Sequence, residues 1–186
     1  LAGLQSHTRE IDKMNQTIKG FRILYGTEVD IDSQGNIDYK DNYLKEFDLV
    51  VAAVHTGFKQ PGEQLTRRVV EACQNKYVHI IAHPTARLWG VREAYDIDLE
   101  EVLKACKKTN THLEINAFPQ RLDLNDLHSH RAKELGVKLS IGTDSHEASQ
   151  LLGMKFGLAV ARRAWLEKQD ILNTLDAEEL LKEIKK

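Results

Sequence analysis

The sequence predicts an α/β fold, an incomplete and distorted TIM-like barrel whose functional site lies at the carboxyl ends of its strands. Five short apolar runs recur along the 186 residues, with helical patterns between most of them, and that spacing is typical of βα units. Metal-binding residue types stand at or near the end of each run. Barrel strands converge at one face, whereas an open doubly wound sheet gathers ligands mainly at its switch point. Five units cannot close a barrel, so roughly two more strands would be needed.

Length and composition favour one globular domain over residues 1–186. Apolar residues make up 41% of the chain and charged residues 29%, which is ordinary for a globular protein. The net charge of -2 gives no sign of nucleic-acid binding, although a bound metal can attract phosphate locally. Two cysteines, no secretory signal and no membrane-spanning run predict a cytoplasmic protein that does not enter a membrane.

Apolar runs and helical periodicity define the elements. Strands are predicted near residues 21–26, 48–54, 79–82, 111–116 and 138–142. Helices are predicted over residues 8–18, 64–73, 98–108, 124–135 and 178–185. The run at 48–54 is almost continuously apolar, as in a parallel strand buried on both faces. Because the chain begins without Met inside a helical pattern, we expect an N-terminally truncated piece of a longer protein.

The candidate ligands share a position at the strand ends: Glu28, His55, His83, Glu114 or Asn116, Asp144 and His146. Imidazole and carboxylate suit a divalent cation such as zinc. Each residue also has an ordinary structural explanation. Glu28 could be a loop carboxylate, His55 a core histidine and His83 part of a rigid turn, while Asp144 could cap the next helix. Taken together, those explanations require several unrelated coincidences, so the pattern favours a metal site.

Six motifs follow one another in the order of a known family. They are Gly26-Thr27-Glu28-Val29-Asp30, Val54-His55-Thr56-Gly57-Phe58, Ala82-His83-Pro84-Thr85-Ala86-Arg87-Leu88, Leu113-Glu114-Ile115-Asn116-Ala117, Arg121-Leu122-Asp123-Leu124 and Thr143-Asp144-Ser145-His146. From about Phe21 to the C-terminus, the chain resembles the PHP (polymerase and histidinol phosphatase) domain of bacterial and archaeal X-family DNA polymerases.

The resemblance implies a distorted (β/α)7 barrel that holds up to three zinc or manganese ions. It implies that Glu28 bridges two ions, that His55 and His83 complete one site, and that Asp144 and His146 serve the second and third. The ions would activate water and hold phosphate oxygens.

Further polar residues near the motifs are candidates for the substrate. Arg87, Arg121 and Asn116 are the candidate phosphate contacts, since guanidinium groups suit forked binding. Pairing of the arginines with Glu114 or Asp123 is the alternative. Glu114 is expected to contact the metal ligands and hold them in place without binding the metal itself.

The chain also departs from the family pattern. The family begins with a His-x-His motif, followed by an acidic residue and a Thr-Asp-His motif, and none of these is present. We therefore expect fewer ions than three and an open barrel edge that is either exposed or covered by another copy of the chain.

The predicted function is a metal-dependent phosphoesterase, acting as a 3′-5′ exonuclease or DNA end-processing module of an X-family polymerase. DNA would be reached through the parent protein, with a polymerase domain upstream. One alternative is a small-molecule phosphatase resembling histidinol-phosphate phosphatase, and another is a non-catalytic module that positions the polymerase. The segments 162–168 and 173–175 fit the polymerase subgroup.

Overall fold

The computed structural model describes residues 2–186, with side chains from His7 onward, and within that range five strands form one sheet. All neighbouring strands are parallel and follow chain order. They are β1 (Gly26–Asp30), β2 (Leu49–Ala53), β3 (Ile80–Ile81), β4 (His112–Asn116) and β5 (Leu139–Gly142). The predicted α/β fold with five parallel strands is confirmed.

Helices precede the first strand, connect the strands and follow the last one. They are α1 (Ala2–Thr17), α2 (Asp41–Leu44), α3 (Gly62–Gln74), α4 (Leu99–Thr109), α5 (Asp126–Glu134), α6 (Met154–Arg163) and α7 (Ala177–Glu183). The ends follow local chemistry: the Asp98 side chain caps α4 by accepting from the Glu101 N–H, and Asn110 ends it in the left-handed conformation. In the described part of the chain, no helix combines the length and apolarity needed to span a bilayer.

The first strand begins later than the sequence predicts. The prediction over residues 21–26 is wrong, because residues 21–25 have no regular secondary structure and β1 begins at Gly26. Pairing starts there because Gly26 is the residue opposite Leu49, the first residue of β2. As a result, Glu28 lies in the middle of a strand and not after its end.

The sheet buries its two faces in different ways. Side chains such as Val50 and Ile81 join the main core with those of α3 and α4. Ile80 belongs instead to a smaller cluster with Leu172 and Ile184. Segment 171–184 thus covers part of the second face. Glu28 shares that face, because it lies opposite Val51, which in turn lies opposite Ile80.

The two edges of the sheet differ. Ile171 forms a bridge with Leu139 on the outer side of β5. The Asn173 side chain accepts a hydrogen bond from the Ile141 N–H at 2.7 Å and donates one to the Ile141 carbonyl at 3.0 Å, so it satisfies the strand as a neighbouring backbone would. No strand of the described residues pairs with the outer edge of β1. The sheet is not closed, as predicted for an incomplete barrel.

One half-buried histidine, His79, and one buried histidine, His112, lie at the amino ends of β3 and β4. The Nδ1 atom of His79 accepts a hydrogen bond from the Val50 N–H at 3.0 Å. His112 is 3% exposed, and its Nε2 atom has no hydrogen-bond partner among the described residues. Burial lowers the pKa of His79 and of His112 to about 4, so both imidazoles are neutral at pH 7.

We expect these histidines to make the fold acid-sensitive. The unfolded chain binds protons at these histidines near the ordinary pKa of 6.5, and the folded chain binds them only near 4. Their contribution to the free energy of unfolding is therefore fully present above pH 6.5 and is lost as the pH drops toward 4. Between these two pKa values, each histidine should lower the free energy of unfolding by up to about 1.4 kcal/mol for each pH unit of acidification. Urea unfolding between pH 4.5 and 7.5 should show a flatter profile for His79→Asn/His112→Gln. The exposed-site variant His7→Gln should keep the wild-type slope. An unchanged slope in the double variant would contradict this assignment.

Candidate metal centre

Three side chains converge on the second face of the sheet at its carboxyl end. The ligand atoms of Glu28, His55 and His83 all lie within 4.8 Å of one another. The Oε1 atom of Glu28 is 3.1 Å from His55 Nε2 and 3.3 Å from His83 Nε2. Glu28 comes from β1, whereas the histidines follow β2 and β3. The parallel order of these strands brings the three residues together.

Unusual backbone conformations position two of the predicted ligands. His83 has a φ of 29° and Asp144 a φ of 52°, a region that non-glycine residues adopt at a cost of roughly 1–3 kcal/mol. The His83 N–H donates to Glu114 Oε2 at 2.8 Å, which holds the turn in place. Glu114 therefore supports His83 through its backbone and pairs with neither of the arginines considered for it.

Asp30 is a site residue that the sequence prediction missed. Its Oδ1 atom lies 2.5 Å from His55 Nδ1, so the other ring nitrogen of His55 faces Glu28. A carboxylate behind a metal-binding imidazole fixes ring orientation and raises ligand basicity. The signal was available, because residues two apart on a strand share a face, and Glu28 and Asp30 are two apart.

The carboxylates dominate the electrostatics of this cluster. Hydrogen bonds from His55 and His83 hold the pKa of Glu28 well below its usual range. The hydrogen bond to Glu28 raises the pKa of His55 to about 9 against the opposing effect of burial, and Asp30 adds to the rise. The cluster thus attracts positive charge, which is the property that a cation site requires.

A cavity of about 260 Å³ opens beside this cluster. Its polar lining side chains are Thr27, Glu28, His83, Glu114, Asn116 and Asp144. Burial raises the pKa of Glu114 to about 7. Gly142 makes room for this carboxyl, because a Cβ atom there would overlap Glu114 Oε1.

Asp144 faces this cavity, whereas His146 is exposed and lies outside the three-residue cluster. Asp144 Oδ2 accepts from Asn116 Nδ2 at 3.2 Å and lies 3.3 Å from Arg121 Nε. The helix-capping alternative for Asp144 is wrong, since the next helical turn begins after Glu147 and has no side-chain cap.

The two candidate phosphate arginines have different surroundings. Arg87 donates to the backbone carbonyls of Arg121 and Leu122, so its guanidinium holds a loop. Arg121 approaches Asp144, and its buried Nη1 atom has no partner among the described residues. Asp123 accepts from the Thr85 N–H at 2.9 Å and pairs with neither arginine. Of the two, Arg121 is the one with an unpartnered donor, and its Nε lies next to Asp144, which lines the cavity.

Asparagine in place of Asp30 should weaken metal binding while leaving the fold intact. The amide cannot hold the His55 ring as the carboxylate does, and such changes behind a ligand typically cost about 10–100-fold in metal affinity. Titration with Zn²⁺ against a competing chelator measures this effect. Asp12→Asn, on the exposed face of α1, is the control. Equal affinity in the two variants would exclude a role for Asp30.

Comparisons with known proteins give relatives of two kinds. The chain is 45% identical over 170 residues to the DNA polymerase/3′-5′ exonuclease PolX of Bacillus subtilis (strain 168), covering 91% of this chain and 30% of the relative. It is 33% identical over 169 residues to a probable phosphatase of Thermoanaerobacter sp. (strain X514), covering 86% of this chain and 66% of the relative. A probable phosphatase of Shewanella sp. (strain ANA-3) is 30% identical over 176 residues, covering 90% of this chain and 68% of that relative. No family model matches the chain.

A solved structure shares the fold. It is the histidinol phosphate phosphatase of Lactococcus lactis subsp. lactis Il1403, complexed with zinc, L-histidinol and phosphate. The TM-score is 0.62 at 18% sequence identity, with 88% of this chain and 75% of that chain covered.

The fold and the site define the class of protein: it is an incomplete TIM-like barrel with a candidate metal cluster at the carboxyl end of its sheet. The relatives define the family within it: the chain belongs to the PHP family, in the form that resembles the X-family polymerase PolX. The predicted family and fold are thereby confirmed. The chain spans 30% of PolX and 66% of the Thermoanaerobacter phosphatase.

Proposed function

We propose that this chain is a metal-dependent phosphoesterase that processes DNA ends, as a 3′-5′ exonuclease associated with an X-family DNA polymerase. The observation that carries the proposal is the cluster of Glu28, His55 and His83 within 4.8 Å. The choice of DNA rests on the 45% identity to a protein named DNA polymerase/3′-5′ exonuclease. A polymerase domain upstream and DNA are the partners that this proposal implies, and a second copy of the chain is the candidate to cover the β1 edge.

The donor set fits a divalent ion. One carboxylate and two imidazoles leave a fourth coordination position open, as in catalytic zinc sites. We propose zinc or manganese at Glu28, His55 and His83, and further binding at Asp144 and His146. Because only the first three residues form a cluster in the described part of the chain, we expect fewer ions than three. When bound, the metal activates water and polarises the phosphoryl group.

Other side chains would hold the substrate and the ligands. Arg121 offers its unpaired Nη1 donor to a phosphate oxygen. Asn116 fixes Asp144 through its amide, and Glu114 fixes His83 through the backbone. In this proposal Arg87 contributes indirectly, because it holds the carbonyl of Arg121.

Hydrolysis of small phosphomonoesters is the second candidate function. It is favoured by the similarity to probable phosphatases at 33% and 30% identity. The shared fold with a histidinol phosphate phosphatase is compatible with it. The cluster and cavity suit either ester, so substrate preference decides between the two functions.

Parallel assays on the chain loaded with Mn²⁺ or Zn²⁺ test the proposal. We expect stepwise release of mononucleotides from the 3′ end of a 5′-labelled single-stranded oligonucleotide, and loss of that activity in His83→Ala. The exposed-site variant His7→Ala is the control. Faster hydrolysis of histidinol phosphate than of the oligonucleotide would favour the phosphatase. Metal binding without hydrolysis of either substrate would favour the non-catalytic module.

A further inference from the structure

An exposed tryptophan stands on the loop that follows His83. Trp89 is 54% exposed, although its backbone is held by hydrogen bonds. The backbone N–H of Trp89 donates to the Gln120 carbonyl at 2.7 Å, and Leu88 forms a β-bridge with Arg92 across the turn. Gly90 allows this turn because its φ is 76°. The side chain therefore projects from a rigid hairpin and not from a loose loop.

A fixed cation lies against the indole. The Arg87 guanidinium lies 4.7 Å from the centre of the Trp89 ring. That guanidinium is itself immobilised, since Nε and Nη2 donate to the carbonyls of Arg121 and Leu122. The guanidinium packs against the indole, and more than half of Trp89 stays open to solvent.

The same contacts connect the indole to the candidate metal centre. Gln120, which accepts from the Trp89 N–H, precedes Arg121 in the chain. Arg121 in turn lies 3.3 Å from Asp144, which lines the cavity. The tryptophan therefore belongs to the loop pair that borders the site.

We propose that Trp89 stacks on a nucleobase of a single-stranded nucleic acid whose terminal phosphodiester enters the candidate metal centre. This inference rests on the proposed function and names the part of the site that recognises the nucleic acid. A rigid, exposed aromatic ring beside a basic group is the usual platform for bases, because every base has a face that can stack. The neighbouring exposed apolar residue is Val91, and Glu93 is charged and exposed, so the patch is far smaller than a protein interface.

Intrinsic fluorescence tests the contact directly, because the sequence contains 2 tryptophans. Trp165 is 77% exposed and follows α6. Its backbone carbonyl accepts from Lys133 near the end of α5, just before the start of β5, so it lies near the amino ends of the strands. In the metal-loaded chain, Trp165→Phe leaves Trp89 as the only reporter, and Trp89→Phe leaves Trp165. A short oligothymidylate should quench the first protein and leave the second unchanged. Absence of binding, or equal quenching of both proteins, would overturn the proposal.

A double-mutant cycle between protein and DNA separates stacking from general loss of structure. An abasic residue placed at successive positions near the 3′ end should weaken binding to the wild type by about 5- to 150-fold at one position. Trp89→Ala should show the same loss with intact DNA and no further loss with the abasic strand. Trp89→Phe should restore most of the affinity, and Trp165→Ala is the matched control. An abasic penalty that is unchanged in Trp89→Ala would contradict stacking.

These binding experiments do not depend on hydrolysis, so the two proposals can fail separately. Quenching and coupling at Trp89 without cleavage would leave the stacking site and remove the exonuclease function. Cleavage that does not depend on Trp89 or on the abasic position would leave the exonuclease function and remove the stacking site.

Discussion

Replacing Glu28 by glutamine is expected to weaken binding of Zn²⁺ and Mn²⁺ by at least about 100-fold and to abolish phosphoester hydrolysis. The substitution keeps the size of the side chain and removes its charge. Glu28 Oε1 lies within 3.3 Å of both His83 Nε2 and His55 Nε2, so the loss leaves two imidazoles without the carboxylate that joins them. Isothermal titration with each metal measures the change.

The exposed glutamate Glu46 provides the control, since Glu46→Gln removes the same charge in the turn between α2 and β2. Circular dichroism of the metal-free proteins checks that both variants fold. If Glu28→Gln bound metal as tightly as the wild type, the ion would lie elsewhere, and Asp144 with His146 would be the next candidate.

Replacing Arg68 by methionine is expected to lower the free energy of unfolding by about 3–5 kcal/mol and to weaken metal binding as well. Arg68 is 1% exposed. Its guanidinium donates to the carbonyls of Ile31 at 2.6 Å, Asp32 at 2.6 Å and Thr56 at 3.1 Å, and to Gln60 Oε1 at 2.7 Å. Methionine would remove all four of these hydrogen bonds and leave the buried Ile31 carbonyl without this donor.

The location of those carbonyls explains the second effect. Ile31 and Thr56 directly follow Asp30 and His55, so Arg68 holds together the two segments that carry this hydrogen-bonded pair. Arg68→Lys is also expected to lower stability and metal binding, because one ammonium group cannot make the separate hydrogen bonds of a forked guanidinium.

Arg67 is the matched control for Arg68. It is the preceding residue of α3 and is exposed, so Arg67→Met should change stability by less than about 0.5 kcal/mol. Urea unfolding of the metal-free variants separates the stability effect from the metal effect. Equal destabilisation by the two substitutions would mean that helix propensity, and not the carbonyl contacts, accounts for the loss.

Features that depend on one local pattern could be predicted from the sequence. The apolar run that forms β2 predicts a buried parallel strand without knowledge of its neighbours. The order of such runs then brings Glu28, His55 and His83 to one edge, and their ligand atoms do lie within 4.8 Å.

Features that depend on backbone partners could not be predicted. Arg68 and Arg87 both donate to carbonyl oxygens, and every residue supplies a carbonyl, so no residue type marks the partner. An arginine is usually exposed, and only the tertiary structure shows Arg68 to be buried. The start of β1 also depends on a neighbour, because its register is set by pairing with Leu49.

Elemental analysis of the purified chain after loading with Zn²⁺ or Mn²⁺ and removal of free metal tests the central claim most directly. We predict at least one tightly held ion per wild-type chain, retention of that ion in the exposed-site variant His7→Ala, and its loss in His83→Ala. A wild-type chain that holds no ion, or a His83→Ala variant that holds as much as the wild type, would contradict the assignment of Glu28, His55 and His83 as a metal centre.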